Sequence, residues 1–130
     1  MERRQDERIS INAKGSFFVR SASEYYGEFQ ATIVDISEHG VRIKAGSKCK
    51  DIIQQISEDA TLSFQAMEEY ELFSEKEMQI FSGKLEIVHQ FLDDGDIVLG
   101  CSMETTNPEI KEYIKKRKMS YYMKSIDTSE

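Results

Sequence analysis

The sequence predicts a mainly β domain, namely a six-stranded antiparallel β-barrel with a C-terminal α-helix. Short runs rich in apolar and β-branched residues occur about six times along the chain, and turn residues separate them. One amphipathic helical pattern follows the last run. A chain of 130 residues is long enough to bury a single core. Because an open sheet of many short strands leaves its edges exposed, we expect the strands to close into a barrel.

The first two strands are predicted on either side of a turn. Residues 9–20 are apolar at alternate positions, which predicts one strand that bends or bulges near Gly15. Residues 25–27, two tyrosines and a glycine, are typical of a turn. The β-rich run at residues 29–36 then predicts the second strand.

A third strand and a short helix follow. Residues 41–45 alternate apolar and basic side chains, which predicts a strand antiparallel to the second one. Gly40 ends the connecting loop, where we expect a positive φ. Residues 49–56 place isoleucines at helical offsets, and the segment is long enough for one or two turns. We expect this helix to cap the sheet.

The second half of the chain predicts three further strands and one exposed loop. Residues 60–67 alternate as a strand, whereas the acidic residues 68–77 show no period of two and predict an exposed loop. Residues 78–91 and 96–103 flank the turn residues 93–95, Asp-Asp-Gly, which is the strongest hairpin signal in the chain.

An amphipathic helix is predicted over residues 107–124. Asn107 is suited to the N-cap, and Pro108 is suited to the first helical position. The polar residues after the helix need no fold. The chain therefore divides into an N-terminal segment with the start of the first strand (1–12), the barrel with its helix (9–124) and a polar tail (125–130).

Charge and composition argue against several classes of protein. The chain has 17 basic and 24 acidic residues, and its net charge of −7 disfavours broad attraction to nucleic acid or to an anionic membrane. It lacks an apolar run long enough for a membrane span or a signal peptide, so we expect a cytoplasmic protein without membrane insertion. Cys49 and Cys101 are not spaced as CxxC, and we expect reduced, buried thiols.

Catalysis and metal binding are not expected. Asp35, Ser37 and His39 have the residue types of a hydrolase triad, but alternate residues of a strand are about 6 to 7 Å apart, too far for a nucleophile and its base. His39 and His89 are the only histidines, and neither has a zinc-site spacing. The acidic residues 93–96 lack the spacing of a calcium loop. We therefore predict a protein with no cofactor.

Two short motifs remain, one in the N-terminal segment and one at a strand end. Arg4 and Arg8 have the spacing RxxxR, and Asp35, Ser37 and Gly40 have the spacing DxSxxG. Taken together, in this order and on this strand pattern, they resemble the two signature motifs of PilZ domains, RxxxR and (D/N)xSxxG. The resemblance extends over most of the chain and implies a PilZ-like barrel with a trailing helix.

The resemblance implies a bacterial receptor for the second messenger cyclic di-GMP. Arg4 and Arg8 would then clamp the ligand, because a guanidinium donates two parallel hydrogen bonds to guanine or phosphate and also stacks on a purine. Arg3 is a candidate helper that adds positive charge beside the clamp. The segment has no apolar anchor before Ile9, so we expect the ligand to order it.

The second motif would complete the same site. The Asp35 carboxylate can accept hydrogen bonds from the N1 and N2 donors of guanine, and the Ser37 hydroxyl can bond a phosphate or a base. Gly40 would let the backbone approach a flat ligand closely. The resemblance thus implies a ligand-binding site formed by both motifs.

Two alternatives stay open. A PilZ-like barrel can serve as a protein-interaction module that binds no nucleotide. A single-stranded nucleic-acid-binding barrel would need stacking aromatics, and the net charge of −7 disfavours it. The stacking candidates are Tyr25, Tyr26, Tyr121 and Tyr122.

As an adaptor, the protein would signal to an effector protein, and the basic stripe of the predicted helix could dock that partner or a second subunit. The protein would then be a monomer or a homodimer.

Overall fold

Six antiparallel strands form a closed, barrel-like ring, and a long helix follows them. The structure is a computed structural model; it describes residues 8–20, 25–54, 56, 61–103 and 108–128, without the side chains of residues 25–26 and 121–128. The strands are β1 (Ile9–Arg20), β2 (Tyr25–Ile36), β3 (Gly40–Ala45), β4 (Thr61–Leu72), β5 (Glu75–Asp93) and β6 (Asp96–Met103). A 3-10 turn (Ser47–Cys49) leads into α1 (Lys50–Gln54), and α2 spans Pro108–Thr128.

The strand order around the ring is β1-β2-β3-β6-β5-β4, and β4 pairs back with β1. Each neighbouring pair is antiparallel. This topology confirms the predicted fold class. Closure satisfies the hydrogen-bonding groups that an open edge would leave unpaired.

The core lies inside the ring and is built from alternate residues of each strand. Phe17 stacks between Phe29 and Phe64, with ring centroids 5.4 and 5.9 Å apart and interplanar angles of 17° and 13°. All three rings are buried. Burying a side chain of this size stabilises the fold by about 2 kcal/mol. The alternation that predicted the strands is therefore the alternation that fills the barrel.

The two helices cover the ring at different places. The short helix α1 packs against β2 and places Ile53 in the core, as the capping role predicts. The long helix α2 packs against β1, β4 and β5 and buries the face that carries Ile110, Tyr113 and Ile114. It begins at Pro108, as predicted, and runs to Thr128, so residues 125–128 continue the helix beyond the predicted end. The predicted N-cap, Asn107, lies outside the described residues.

The irregularity of β1 lies earlier than predicted. Its register against β2 shifts between Ser10 and Ala13, where β1 contains one extra residue. Gly15 instead permits a close approach of β4. A Cβ at this position would lie 2.5 Å from the Gln65 carbonyl oxygen and 2.6 Å from the Ala66 Cβ.

The turn predicted at residues 25–27 is wrong, because these residues begin β2. Tyr25 pairs with Arg20 and Gly27 pairs with Val19, with a register shift between these pairs. Gly27 has a φ of 156°. Its lack of a side chain thus serves an irregularity inside a strand.

The exposed loop predicted at residues 68–77 is also wrong. This segment forms the end of β4 and the start of β5, and Leu72 pairs with Glu75 across a two-residue turn. Phe73 and Ser74 occupy the turn with φ values of 53° and 68°, the signs that a type I′ hairpin requires. The apolar alternation of β4 is interrupted in the sequence at Glu68, a charged residue that takes an inward position and is buried.

The predicted hairpin between the last two strands is confirmed. Asp93 pairs with Asp96, and Asp94 and Gly95 form the turn with φ values of 54° and 88°. Cys49 and Cys101 are free thiols, of which Cys101 is buried and Cys49 is half-buried. Within the described ranges, no helix combines the length and the apolar character needed to cross a bilayer.

Candidate ligand-binding site

The first strand carries Arg8 to the end of the second strand. Ile9 pairs with Ile36 and Ser10 pairs with Asp35, so the residue before β1 lies beside the end of β2. The Arg8 Nη1 donates a hydrogen bond to the Asp35 Oδ1 at 2.8 Å. Two motifs that are 27 residues apart in sequence therefore meet through one ion pair.

A second arginine, which the sequence interpretation missed, approaches Asp35 from the other side. The Nη1 of Arg42 lies 3.5 Å from Asp35 Oδ2, and the two residues are direct cross-strand partners. The register of β2 against β3 shifts between Ile33 and Asp35, so Val34 is the extra residue of a bulge. The alternation of residues 41–45 would have placed Arg42 on the outer face, but only the bulge makes it the partner of Asp35.

Hydrogen bonds between its two ends hold the loop that joins β2 to β3. The Ser37 N–H donates to the Gly40 carbonyl oxygen at 2.8 Å, and the Ser37 hydroxyl approaches the same oxygen at 3.4 Å. Ser37 is only 2% exposed. In this structure the hydroxyl therefore shapes the loop.

Position 40 requires a glycine because a side chain would have no room there, and not because of its backbone conformation. The positive φ predicted for it is wrong, because Gly27 and Gly95 are the glycines with positive φ in the described chain. A Cβ on Gly40 would lie 2.9 Å from the Cys101 carbonyl oxygen, closer than real Cβ atoms lie to other atoms. The same point is 3.7 Å from the Ser37 Oγ and 3.9 Å from an Arg8 Nη.

The structure therefore brings together Arg8, Asp35, Ser37 and Gly40, four of the predicted site residues. Arg3 and Arg4 lie outside the described residues. The resulting surface combines a carboxylate held between two guanidinium groups with one backbone position, Gly40, that carries no side chain. It can accept a planar group with donors and acceptors on its edge and negative charge nearby.

The geometry gives no support to a catalytic triad of Asp35, Ser37 and His39. The Ser37 hydroxyl is buried against the Gly40 carbonyl, and the Asp35 carboxylate pairs with arginines. Among the residues that the structure describes, no group of three or more His, Cys, Asp or Glu side chains could hold a metal ion.

The loop is also tied to the last strand and the last helix. The Met103 N–H donates to the His39 carbonyl oxygen at 2.9 Å. Lys111 of α2 lies 3.7 Å from the Glu38 carboxylate. A movement of this loop would therefore act on the start of α2.

Comparisons with known proteins agree with this fold. The sequence model of one family, described as PilZ domain, matches residues 2–116. No curated protein matches the chain. Among solved structures, the chain is similar to the Bacillus subtilis inhibitor of motility (MotI/DgrA), with a TM-score of 0.55 and 11% sequence identity. The match covers 100% of this chain and 54% of that one, so the chain spans about half that protein's length, and the likeness concerns the fold alone.

Proposed function

The chain belongs to the PilZ domain family, and on this premise we propose that it is a receptor for cyclic di-GMP that performs no catalysis. One observation supports the proposal most strongly: Arg8 and Asp35, one from each signature motif, form a 2.8 Å ion pair beside Gly40. The motifs thus form a single surface.

The chemistry of this surface suits a guanine nucleotide. Arg8 is partly exposed, and its guanidinium can leave Asp35 to bond the O6 and N7 of guanine or a phosphate of the ligand. Asp35 can then accept from the N1 and N2 donors of guanine while Arg42 keeps its position. The free arginine fork and the held carboxylate together distinguish guanine from adenine.

Arg4 is proposed as the second clamp and Arg3 as its helper. Both residues fall within the range that the family model matches. They precede Arg8 by four and five residues in the sequence, and RxxxR is the motif that the proposal assigns to the ligand. Two or three guanidinium groups would then offset the charge of two phosphates in a chain whose net charge is −7.

We further propose that the domain acts as an adaptor that signals to an effector protein. Glu38 and Lys111 connect the candidate site to α2, and the His39 carbonyl accepts from the strand end that precedes this helix. Ligand binding that shifts residues 37–40 would change the surface that α2 shows to a partner. The basic residues of α2 suit a partner with an acidic surface.

Isothermal titration of the purified protein with cyclic di-GMP tests the receptor function, with GMP and cyclic di-AMP as controls. We expect selective binding of cyclic di-GMP with a dissociation constant of the order of 1 μM, or about −8 kcal/mol. No heat from any of the three nucleotides would overturn the proposal and leave the barrel as a protein-interaction module.

Variants of Arg8 test the site itself. Arg8→Ala should abolish measurable binding, and Arg8→Lys should bind poorly because it lacks the two-donor fork. Arg20→Ala is the matched control, since Arg20 is exposed at the opposite end of β1. Binding by Arg8→Ala with unchanged affinity would show that the ligand lies elsewhere.

A further inference from the structure

A row of cross-strand partners extends from the candidate site across three more strands. Asp35 of β2 pairs with Arg42 of β3, Arg42 pairs with Gly100 of β6, and Gly100 pairs with His89 of β5. Adjacent strands are about 4.8 Å apart, so His89 lies about 14 Å from Asp35 along the row. The row lies on the outer face of the barrel, because its Gly100 stands between the inward-facing Leu99 and Cys101.

His89 occupies the space that a side chain on Gly100 would fill. A Cβ built on Gly100 would lie 2.4 Å from both the Cε1 and the Nε2 of the His89 ring. The imidazole therefore covers the glycine on the outer face. His89 reaches this position because β5 contains an extra residue between Ile87 and His89.

A second ring continues this aromatic surface. The rings of His89 and Phe91 are nearly parallel, with an interplanar angle of 12° and centroids 6.2 Å apart. Phe91 is 47% exposed and lies opposite Val98, which is itself buried on the outer face. Two parallel exposed rings on a rigid strand form a surface on which a flat base can stack.

Arg42 is the member of the row between the carboxylate and the rings. It lies between Asp35 and Gly100 in the row, and its buried Nε has no hydrogen-bond partner in the described structure. The Arg42 side chain as a whole is 38% exposed, so its terminal guanidinium nitrogens can donate to a bound ligand. The row thus supplies, in order, an acceptor at Asp35, a donor at Arg42 and an aromatic surface where His89 covers Gly100.

We propose that His89 and Phe91 form a stacking platform for a purine base of the bound dinucleotide, namely the base that Asp35 does not hold. This inference rests on the proposed function and adds a second contact region to it. The ligand would then extend from the two signature motifs across β3 and β6 to β5. Stacking accepts any purine, so the platform contributes affinity, whereas Arg8 and Asp35 select guanine.

Titration of the intact protein with cyclic di-GMP tests the platform through three variants. His89→Ala should weaken binding about tenfold, since base stacking on one aromatic side chain has an effect of this order. His89→Phe keeps a ring over Gly100 and should stay within about twofold of the unsubstituted protein. Ile80→Ala is the control, because Ile80 is an exposed apolar residue of the same strand that lies away from the row.

The outcomes separate the platform from the receptor function. If the unsubstituted protein binds and His89→Ala binds equally well, the platform is overturned while the receptor function stands. If the unsubstituted protein binds no nucleotide, the receptor function itself fails.

Two further variants keep the test decisive if His89→Ala disturbs the fold. Phe91→Leu removes a ring but keeps an apolar side chain, and it should weaken binding several-fold. Gly100→Ala should displace the His89 ring and weaken binding without removing an aromatic residue, because the two groups would be 2.4 Å apart. Full affinity in both folded variants would overturn the platform.

Discussion

The Glu68 carboxylate accepts a hydrogen bond from the Tyr113 hydroxyl and thereby joins β4 to α2 in the interior. Its second oxygen accepts from the Asn12 backbone N–H at 2.8 Å, within the irregular part of β1. The Arg117 Nε lies 3.3 Å from the first oxygen, and the Arg117 guanidinium lies over the Tyr70 ring. One buried carboxylate therefore connects the strand that follows Arg8 with the helix.

Glu68→Ala should destabilise the fold strongly. The substitution leaves the Asn12 N–H and the buried Tyr113 hydroxyl without their acceptor and removes the counter-charge of Arg117. Breaking a buried ion pair of this kind costs about 3 kcal/mol or more. Urea denaturation of Glu68→Ala and of the unsubstituted protein, followed by circular dichroism, measures the loss in the free energy of unfolding.

Glu69→Ala is the matched control, because Glu69 is exposed on the same strand and pairs only loosely with Lys76 at 3.9 Å. It should change the free energy of unfolding by less than about 0.5 kcal/mol. Equal stability of Glu68→Ala and Glu69→Ala would mean that the buried network does not hold α2 in place.

The sequence predicted the ring of strands well because most strands obey a period of two. It failed at residues 68–77, where the inward position of Glu68 breaks that period and a phenylalanine occupies a turn position with positive φ. Burial of a carboxylate depends on partners from β1 and α2, and no local pattern reveals such partners. Tertiary contacts decided this hairpin.

The candidate site was predictable only where it follows a linear motif. Arg8 and Asp35 stand in motifs, and the structure brings them together. Arg42 and His89 belong to no motif, and they join the site through strand register, with one bulge before Asp35 and another before His89. A bulge adds a single residue, and the surrounding sequence gives little sign of it.

Gly40→Ala should destabilise the protein, with a cost of about 1 to 3 kcal/mol for the close contact. The added Cβ would meet the Cys101 carbonyl oxygen at 2.9 Å, and both atoms belong to paired strands that cannot move apart freely. Thermal unfolding in the absence of nucleotide measures this effect separately from binding.

Gly46→Ala gives the comparison, since nothing lies within 4 Å of a Cβ there and its φ of −69° suits alanine. We expect this variant to match or exceed the stability of the unsubstituted protein. If Gly40→Ala were equally stable, the steric requirement at Gly40 would be disproved.

The two thiols should differ in reactivity. Cys101 is 5% exposed, and burial raises the pKa of its thiol to about 12, so it holds little thiolate at pH 8. Cys49 is half-buried near the surface. Titration with a disulfide reagent should modify one thiol in the folded protein and two in denaturant. Rapid modification of both thiols in the folded protein would contradict the buried position of Cys101.

Stability should fall in alkaline solution. Burial raises the pKa of Cys101, and burial with the Glu68 hydrogen bond raises the pKa of Tyr113. The unfolded chain releases these protons at about pH 8.5 and 10, before the folded protein does, so rising pH favours unfolding. Each group can contribute a slope of up to about 1.4 kcal/mol per pH unit.

Urea denaturation between pH 7 and 10 measures that slope. Cys101→Ala should have a shallower fall above pH 8.5 than Cys49→Ala, although its stability at pH 7 is lower because of the cavity. Identical slopes in the two variants would show that Cys101 ionises equally in the folded and unfolded states.

Arg42→Gln should weaken cyclic di-GMP binding about tenfold while the protein stays folded. The substitution removes the cation 3.5 Å from the Asp35 carboxylate, so Asp35 loses its support when Arg8 turns to the ligand. It also removes a donor that faces the candidate site. Lys44→Gln is the matched control, because it removes one positive charge from the same strand. Lys44 pairs with Asp93 and Asp96 and not with Asp35. Equal affinities of the two variants would mean that Arg42 acts only through net charge, and its assignment to the site would fall.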